Sequence, residues 1–272
     1  MSDFPQSLIL IGAGKMGGAM LDGWLATGMR PQNITILDPQ ISNETLVTAK
    51  ANGIQLNPAL AHVPPAMAIV LAIKPQMLDA VAPVLKAVVK PGALLVSILA
   101  GKTMAEIALR LAGNRCIVRA MPNLPASVRR GVTAAVADIG VTDAQKPMAD
   151  ALLKGVGKVE WLNDEGLIDA VTAVSGSGPA YVFHLVEALA VAGMAAGLPA
   201  DLAERLARAT IEGAGEMLYK SDLPPAVLRH NVTSPGGTTA AALEVLMAEN
   251  GLTPLMRRTV AAAKRRAEEL AG

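Results

Sequence analysis

The feature that most restricts this chain is a glycine cluster, Gly12-Ala13-Gly14-Lys15-Met16-Gly17, which follows the apolar run Leu-Ile-Leu-Ile at once and opens a helical segment. In a strand–turn–helix setting that spacing has a mechanical meaning. Gly12 makes the tight turn, Gly14 lets the backbone approach a pyrophosphate, and Gly17 lets the helix pack on the strand. The helix start adds unpaired N–H groups and the positive end of its dipole, which suit phosphates. The loop from Gly12 through Ala13, Lys15 and Met16 to Gly17 is therefore a candidate dinucleotide cradle.

The chain keeps this rhythm up to about residue 162. Strands are expected at 8–11, 33–37, 68–73, 93–98, 116–120, 131–137 and 159–162, with helices at 15–27, 42–52, 77–88, 104–111 and 143–155. The runs LILI, AIVLAI and ALLVSI lack alternation, as strands covered on both faces do. The expected fold is α/β, a doubly wound parallel sheet with right-handed crossovers. Beyond residue 163 the strand signals stop. Helices punctuated by proline and glycine are expected at 163–174, 179–196, 199–219, 222–230, 238–249 and 253–270. The expectation is two domains, 1–162 for the dinucleotide and an all-α domain over 163–272.

Composition removes several functions. Net charge is +1 and aromatics are 2%, which leaves little to neutralise phosphates or stack on bases, so no nucleic-acid partner is expected. The single cysteine, Cys116, sits in an expected buried strand and reads as packing in a reducing compartment. Three histidines, none at ligand spacing from another, speak against a metal site. The first residues lack the basic start of a signal peptide. The apolar stretch 181–198 is broken by His184, Glu187, Gly193 and Gly197 and reads as a buried helix instead of a membrane span. A cytoplasmic protein without a membrane partner is expected. Because 179–196 is apolar on almost every side, it is expected to pass through a subunit interface, the alternative being a central helix of a monomeric bundle. His184 and Glu187, three apart on one helix face, are expected to satisfy each other or the backbone instead of catalysing. The basic residues near the end, Arg257 to Arg266, read as a solvated helix face.

Further candidates lie at the carboxyl ends of the expected strands, where an open α/β sheet holds its ligand. Asp38 ends the second strand roughly 20 residues beyond the glycines, where a carboxylate accepts hydrogen bonds from an adenosine ribose. That charge leans toward NADH over NADPH, although Lys15 could offset it; a plain cap on the turn at Pro39 is the alternative role. Ala72, Lys74 and Pro75 lie at the carboxyl end of a later strand, and Leu99 and Ala100 at that of the next; both loops are placed to line ribose and nicotinamide, a solvated loop lysine being the alternative for Lys74.

Two stretches of the helical half complete the pattern: Val174-Ser175-Gly176-Ser177-Gly178-Pro179-Ala180-Tyr181, and Asn231-Val232-Thr233-Ser234-Pro235-Gly236-Gly237-Thr238-Thr239. With AIKP, LAG and Met121-Pro122-Asn123 upstream, they resemble the hallmarks of the pyrroline-5-carboxylate reductase family over nearly the whole chain. The resemblance implies a Rossmann domain followed by a helical domain that dimerises through interlocked helices, sometimes into rings of dimers. It implies hydride transfer from NADPH or NADH to the C=N carbon of a cyclic imino acid, giving L-proline. It places the substrate on Asn231, Gly237, Thr238 and Thr239, with the Thr239 hydroxyl near the imine nitrogen, and matches Asp222 more loosely to a carboxylate near the site. The physics agrees: a helix start at Gly237-Thr238-Thr239 offers N–H groups to a substrate carboxylate, and glycine permits close approach. This chain departs from the family at Leu37-Asp38-Pro39-Gln40, where relatives often carry hydroxyl or basic residues suited to NADPH. It departs again at Leu124, where threonine is common, and at Ile98-Leu99. A β-hydroxyacid dehydrogenase shares the plan but needs a catalytic lysine on the second-domain helices, and none occurs between Lys158 and Lys220. A non-catalytic nucleotide-sensing module would leave the Gly-Gly-Thr-Thr helix start unexplained.

Overall fold

The structure, a computed structural model, describes residues 3–111 and 113–271. The chain divides into two compact units, one running to Gly176 and joined by the stretch from Lys264 onward, the other Ser177–Ala263.

The first unit holds β1 (Leu8–Ile11), α1 (Lys15–Ala26), β2 (Ile34–Leu37), α2 (Asn43–Ala51), β3 (Gln55–Leu56), β4 (Ala68–Leu71), α3 (Leu78–Val88), β5 (Leu94–Ser97), α4 (Met104–Arg110), β6 (Ile117–Met121), β7 (Gly131–Ala137), α5 (Gln145–Lys154), β8 (Gly157–Leu162) and the short α6 (Ile168–Val171). The strands form one eight-stranded sheet in the order β3-β2-β1-β4-β5-β6-β7-β8. Every residue of β1, β2, β4 and β5 is buried, as their unbroken apolar sequences require. Successive side chains of β1 enter opposite cores. Leu8 and Leu10 pack with Met20, Trp24 and Ile36 on one face, and Ile9 and Ile11 with Leu71, Leu78 and Leu95 on the other. That is a doubly wound sheet.

It departs from an all-parallel arrangement at one step. β6 and β7 pair antiparallel, while β7 and β8 run parallel to each other. The cause is the connection. β6 reaches β7 through a loop with a 3-10 turn at Leu124–Val128, and a connection without a crossover helix returns the chain in the opposite direction. β3 was not expected; two residues of mixed polarity at a sheet edge leave no periodic signal.

Close backbone contact locks α1 to α5. A Cβ on Gly23 would lie 2.3 Å from the Gly155 carbonyl oxygen, and the fully buried Trp24 donates its indole N–H to the Leu152 carbonyl at 2.7 Å. After β8 the Asp164 carboxylate accepts the Gly166 N–H and starts a 3-10 turn, Glu165–Leu167. α6 follows, then a π-helical turn at Thr172–Gly176, where a regular helix to residue 174 was expected.

The second unit begins with α7 (Gly178–Ala195), followed by α8 (Ala200–Lys220), α9 (Pro225–Asn231), α10 (Thr238–Leu246) and α11 (Leu252–Ala271), which starts in this unit and ends in the first. α7 meets α8 closely because Gly193 faces Ala203, whose Cβ would be 3.3 Å from a Cβ on the glycine. No residue of α7 is buried, and Phe183 and Val191 are 57% and 60% exposed. Where a buried helix was expected, much of its apolar surface is left uncovered by the described residues of this chain, because only α8 packs closely on it.

Alanine at Gly23 should destabilise the protein by about 1–3 kcal/mol through overpacking against Gly155, measured as a lower urea midpoint. An unchanged midpoint would show that the α1–α5 contact yields freely.

Candidate active site

β1 neighbours both β2 and β4, so the strand order reverses at β1 and a crevice opens beyond the carboxyl ends of β1 and β4. The glycine cluster lies there, and two of its glycines are demanded by contact. Gly12 has φ 88°, and a Cβ on it would be 2.7 Å from the Ala72 carbonyl oxygen. A Cβ on Gly17 would be 2.3 Å from the Gly12 carbonyl oxygen. Gly14 differs: nothing lies within 4 Å of the place its Cβ would take, so the space beside it is open to a ligand. It is also the N-cap of α1, and no side chain caps that terminus, so the first-turn N–H groups face outward without helical partners. Lys15 is exposed and Met16 half-buried beside it. Free N–H groups at the positive end of α1 suit the charge of a pyrophosphate.

Ala13 is held from both sides. Its N–H donates to Asp38 Oδ2 at 2.7 Å, and its carbonyl accepts the Thr45 hydroxyl at 3.2 Å. Thr45 is itself fixed at the start of α2, where the Ser42 hydroxyl accepts its N–H. Asp38 Oδ1 accepts the Gln40 N–H at 2.8 Å. Asp38 therefore does cap the turn at Pro39, and it also braces the glycine loop; a carboxylate with about four acceptor sites keeps capacity for a ribose hydroxyl. Asn57 Oδ1 accepts the Asp38 N–H, and Asn57 Nδ2 donates to the Asp38 carbonyl, each at 2.8 Å. Sequence reasoning found neither Thr45 nor Asn57. The Asn57-Pro58 turn signal was the one available clue, and it does not say what the asparagine touches.

The next loops leave the same end of the sheet. Ala72 extends the β4 ladder by donating its N–H to Ile11 at 2.8 Å. Lys74 is exposed and precedes a 3-10 turn that begins at Pro75. The Leu99 side chain is buried in the core, so only its backbone can face a ligand, while Ala100 is exposed. Below them, the buried Arg119 on β6 donates to Glu165 at 2.7 Å, and Glu165 also accepts the Met104 N–H at 2.8 Å. Glu165 thus ties both β6, through the ion pair, and the start of α4, through the Met104 N–H, to the segment leading out of β8. At the same helix start burial would raise the Glu106 carboxyl, but hydrogen bonds from Lys102 and Thr103 outweigh it and hold the group below its ordinary value.

Asn123 joins two of the sequence motifs. Its Oδ1 accepts the Val132 N–H at 2.9 Å and its Nδ2 donates to the Ser175 carbonyl at 3.2 Å. Met121 packs where a Cβ on Gly176 would fall, 3.1 Å from its Cε. Met-Pro-Asn therefore grips the π-helical turn, an irregularity frequent at functional sites.

In the second unit Asn231 ends α9 and is exposed, Gly236 turns the chain at φ 69°, and Gly237 is the N-cap of α10. Thr238 and Thr239 form the first turn of α10, exposed and half-buried respectively, and no side chain caps the terminus. Asp222 is exposed on the connection between α8 and α9. His184 and Glu187 do pair, at 2.9 Å and exposed on the surface.

Residues 165–270 match the family model described as pyrroline-5-carboxylate reductase dimerisation, and residues 7–101 match the one described as NADP oxidoreductase coenzyme F420-dependent. A pyrroline-5-carboxylate reductase of Pseudomonas aeruginosa is 40% identical over 264 residues, covering 97% of this chain and 96% of that protein. The chain belongs to the pyrroline-5-carboxylate reductase family. A solved member from Coxiella burnetii superposes with TM-score 0.90 at 36% identity, covering 98% of this chain and 99% of that one. A Plasmodium falciparum member, crystallised with NADP bound, gives TM-score 0.77 at 29% identity and full coverage of both chains. The stretch Glu165–Ala195, long and apolar enough by length and composition to cross a membrane, begins the part of the chain that matches this family's dimerisation model.

Gly17→Ala should weaken nicotinamide dinucleotide binding at least about tenfold, because the added methyl would displace the Gly12 carbonyl and with it the glycine loop. Fluorescence titration of the purified protein measures this, and wild-type affinity would mean that the loop is not the phosphate site.

Proposed function

We propose that this chain reduces 1-pyrroline-5-carboxylate to L-proline. The observation that carries the reading is the pairing, in one chain of this family, of a glycine cradle at the sheet's switch point with an uncapped Gly-Gly-Thr-Thr helix start. A reduced nicotinamide dinucleotide supplies the hydride that the C=N carbon receives. Gly12, Ala13, Gly14, Lys15, Met16 and Gly17 hold its pyrophosphate, and the loops at Ala72, Lys74 and Pro75 and at Leu99 and Ala100 line the rest.

The substrate's carboxylate is held by the N–H groups of Gly237, Thr238 and Thr239, strengthened by the positive end of α10. Asn231 adds an amide, and Asp222 lies at the margin of this site. The imine nitrogen gains a proton as its carbon gains hydride, and the Thr239 hydroxyl holds that proton at the nitrogen. A threonine is no strong acid, so water replenishes the proton and positioning supplies much of the rate. Residues 1–162 serve the dinucleotide and residues 163–272 the imino acid and the subunit contact. The uncovered apolar surface of α7 supports a homodimer with a second copy as its cover. The enzyme acts in the cytoplasm, where a lone thiol such as Cys116 stays reduced.

For the cofactor we favour NADH over NADPH, because the Asp38 carboxylate stands at the end of β2 where a 2′-phosphate would meet like charge. Spectrophotometric assay of NADH and NADPH consumption with the five-membered cyclic imine tests the function, set beside a 3-hydroxy acid with the oxidised cofactors. Turnover of the hydroxy acid alone would support a hydroxyacid dehydrogenase instead.

Thr239→Ala should lower kcat at least about tenfold with little change in NADH affinity; unchanged turnover would remove the hydroxyl from the mechanism. Asp38→Ser should move the NADH-to-NADPH ratio of kcat/KM toward NADPH by about tenfold, and an unaltered ratio would mean that the carboxylate does not meet the ribose.

A further inference from the structure

Asp38 is held more firmly than contact with a ribose requires. One side-chain amide, that of Asn57, pairs with both the N–H and the carbonyl of residue 38 at 2.8 Å. Asn57 adopts φ 44°, a left-handed conformation that asparagine tolerates better than most residues. Its own N–H donates to Ile36 at 2.9 Å, so it continues the β2–β3 pairing just past the last residue of β3. β3 is only two residues long, and the amide of Asn57 supplies the pairing that another peptide group of that strand would have given. The carboxylate of Asp38 is tied separately, by the N–H groups of Ala13 and Gln40.

We propose that Asn57 is a specificity-determining residue for the cofactor: by pinning the main chain of Asp38 it keeps the carboxylate where a 2′-phosphate would come. The inference rests on the reading that Asp38 faces the adenosine ribose. A negative charge excludes a phosphate only while it stays in place, since the repulsion falls with distance and an exposed aspartate is free to turn into water. Asp38 lacks that freedom. Turning away would break its bond to the buried Ala13 N–H, and shifting with its loop would break both bonds to Asn57. Removing the Asn57 amide frees the loop over residues 38–41 to carry the charge aside.

The test uses the full chain and two probes that differ only by the phosphate in question, adenosine 5′-monophosphate and adenosine 2′,5′-bisphosphate, titrated calorimetrically. Asn57→Gly accepts the left-handed backbone without strain, and Asn57→Ser is a second variant too short to bridge both groups; a thermal melt of each checks the fold. Both variants should move the affinity ratio toward the bisphosphate by about threefold to tenfold, with Asp38→Ser moving it further. Asn57 variants that keep the wild-type ratio, or that weaken both probes equally, while Asp38→Ser shifts it, would overturn the role of Asn57 and leave the reading of Asp38 standing. A wild-type ratio in Asp38→Ser would instead remove the reading on which the inference rests.

Discussion

The carbonyl oxygen of Gly12 lies 2.3 Å from where a side chain on Gly17 would begin. That approach, with Gly12 itself pressed on the Ala72 carbonyl, lets α1 descend onto the sheet between β1 and β4. Everything downstream uses the resulting aim of α1. Its outward N–H groups face the crevice at the switch point, and the loops after β4 and β5 close around the same end of the sheet. A larger residue at either glycine would tilt the helix and turn its free N–H groups away from the switch point.

Steric fit alone would leave this loop free to breathe, and polar contacts from other elements hold it. Asp38 and Thr45 take the N–H and the carbonyl of Ala13, and Asn57 holds Asp38 in turn. A second set works further along the sheet. Glu165 binds Arg119 of β6 and the start of α4 to the chain leaving β8, and Asn123 binds the π-helical turn that precedes α7. Among the described residues no buried side-chain nitrogen or oxygen lacks a partner. That is what rigid positioning requires, since an unpaired buried polar group costs about 1–3 kcal/mol.

The helical unit follows a different physical logic. Its longest apolar helix packs on α8 through small residues yet buries none of its own side chains within the chain. Such a surface has a high cost in water and is stable only when covered. The match of residues 165–270 to a dimerisation model agrees with that requirement.

Much of this was legible in the residue string. Strand runs, helix starts and glycine turns are local, so LILI before Gly12, Ser42 before α2 and Gly237 before Thr238 announced their elements unaided, and SPGGTT carried the family. Four things came only from the folded chain: the reversal at β7, the two-residue β3, the π-helical turn, and the braces linking residue 13 to 38 and 45, 38 to 57, and 123 to 175. A hydrogen bond between residues far apart in the chain leaves no periodic trace in either neighbourhood, and the direction of a strand depends on how the chain returns to the sheet. Local chemistry determined what each segment would become; the meeting of distant segments decided which polar groups brace the glycine loop.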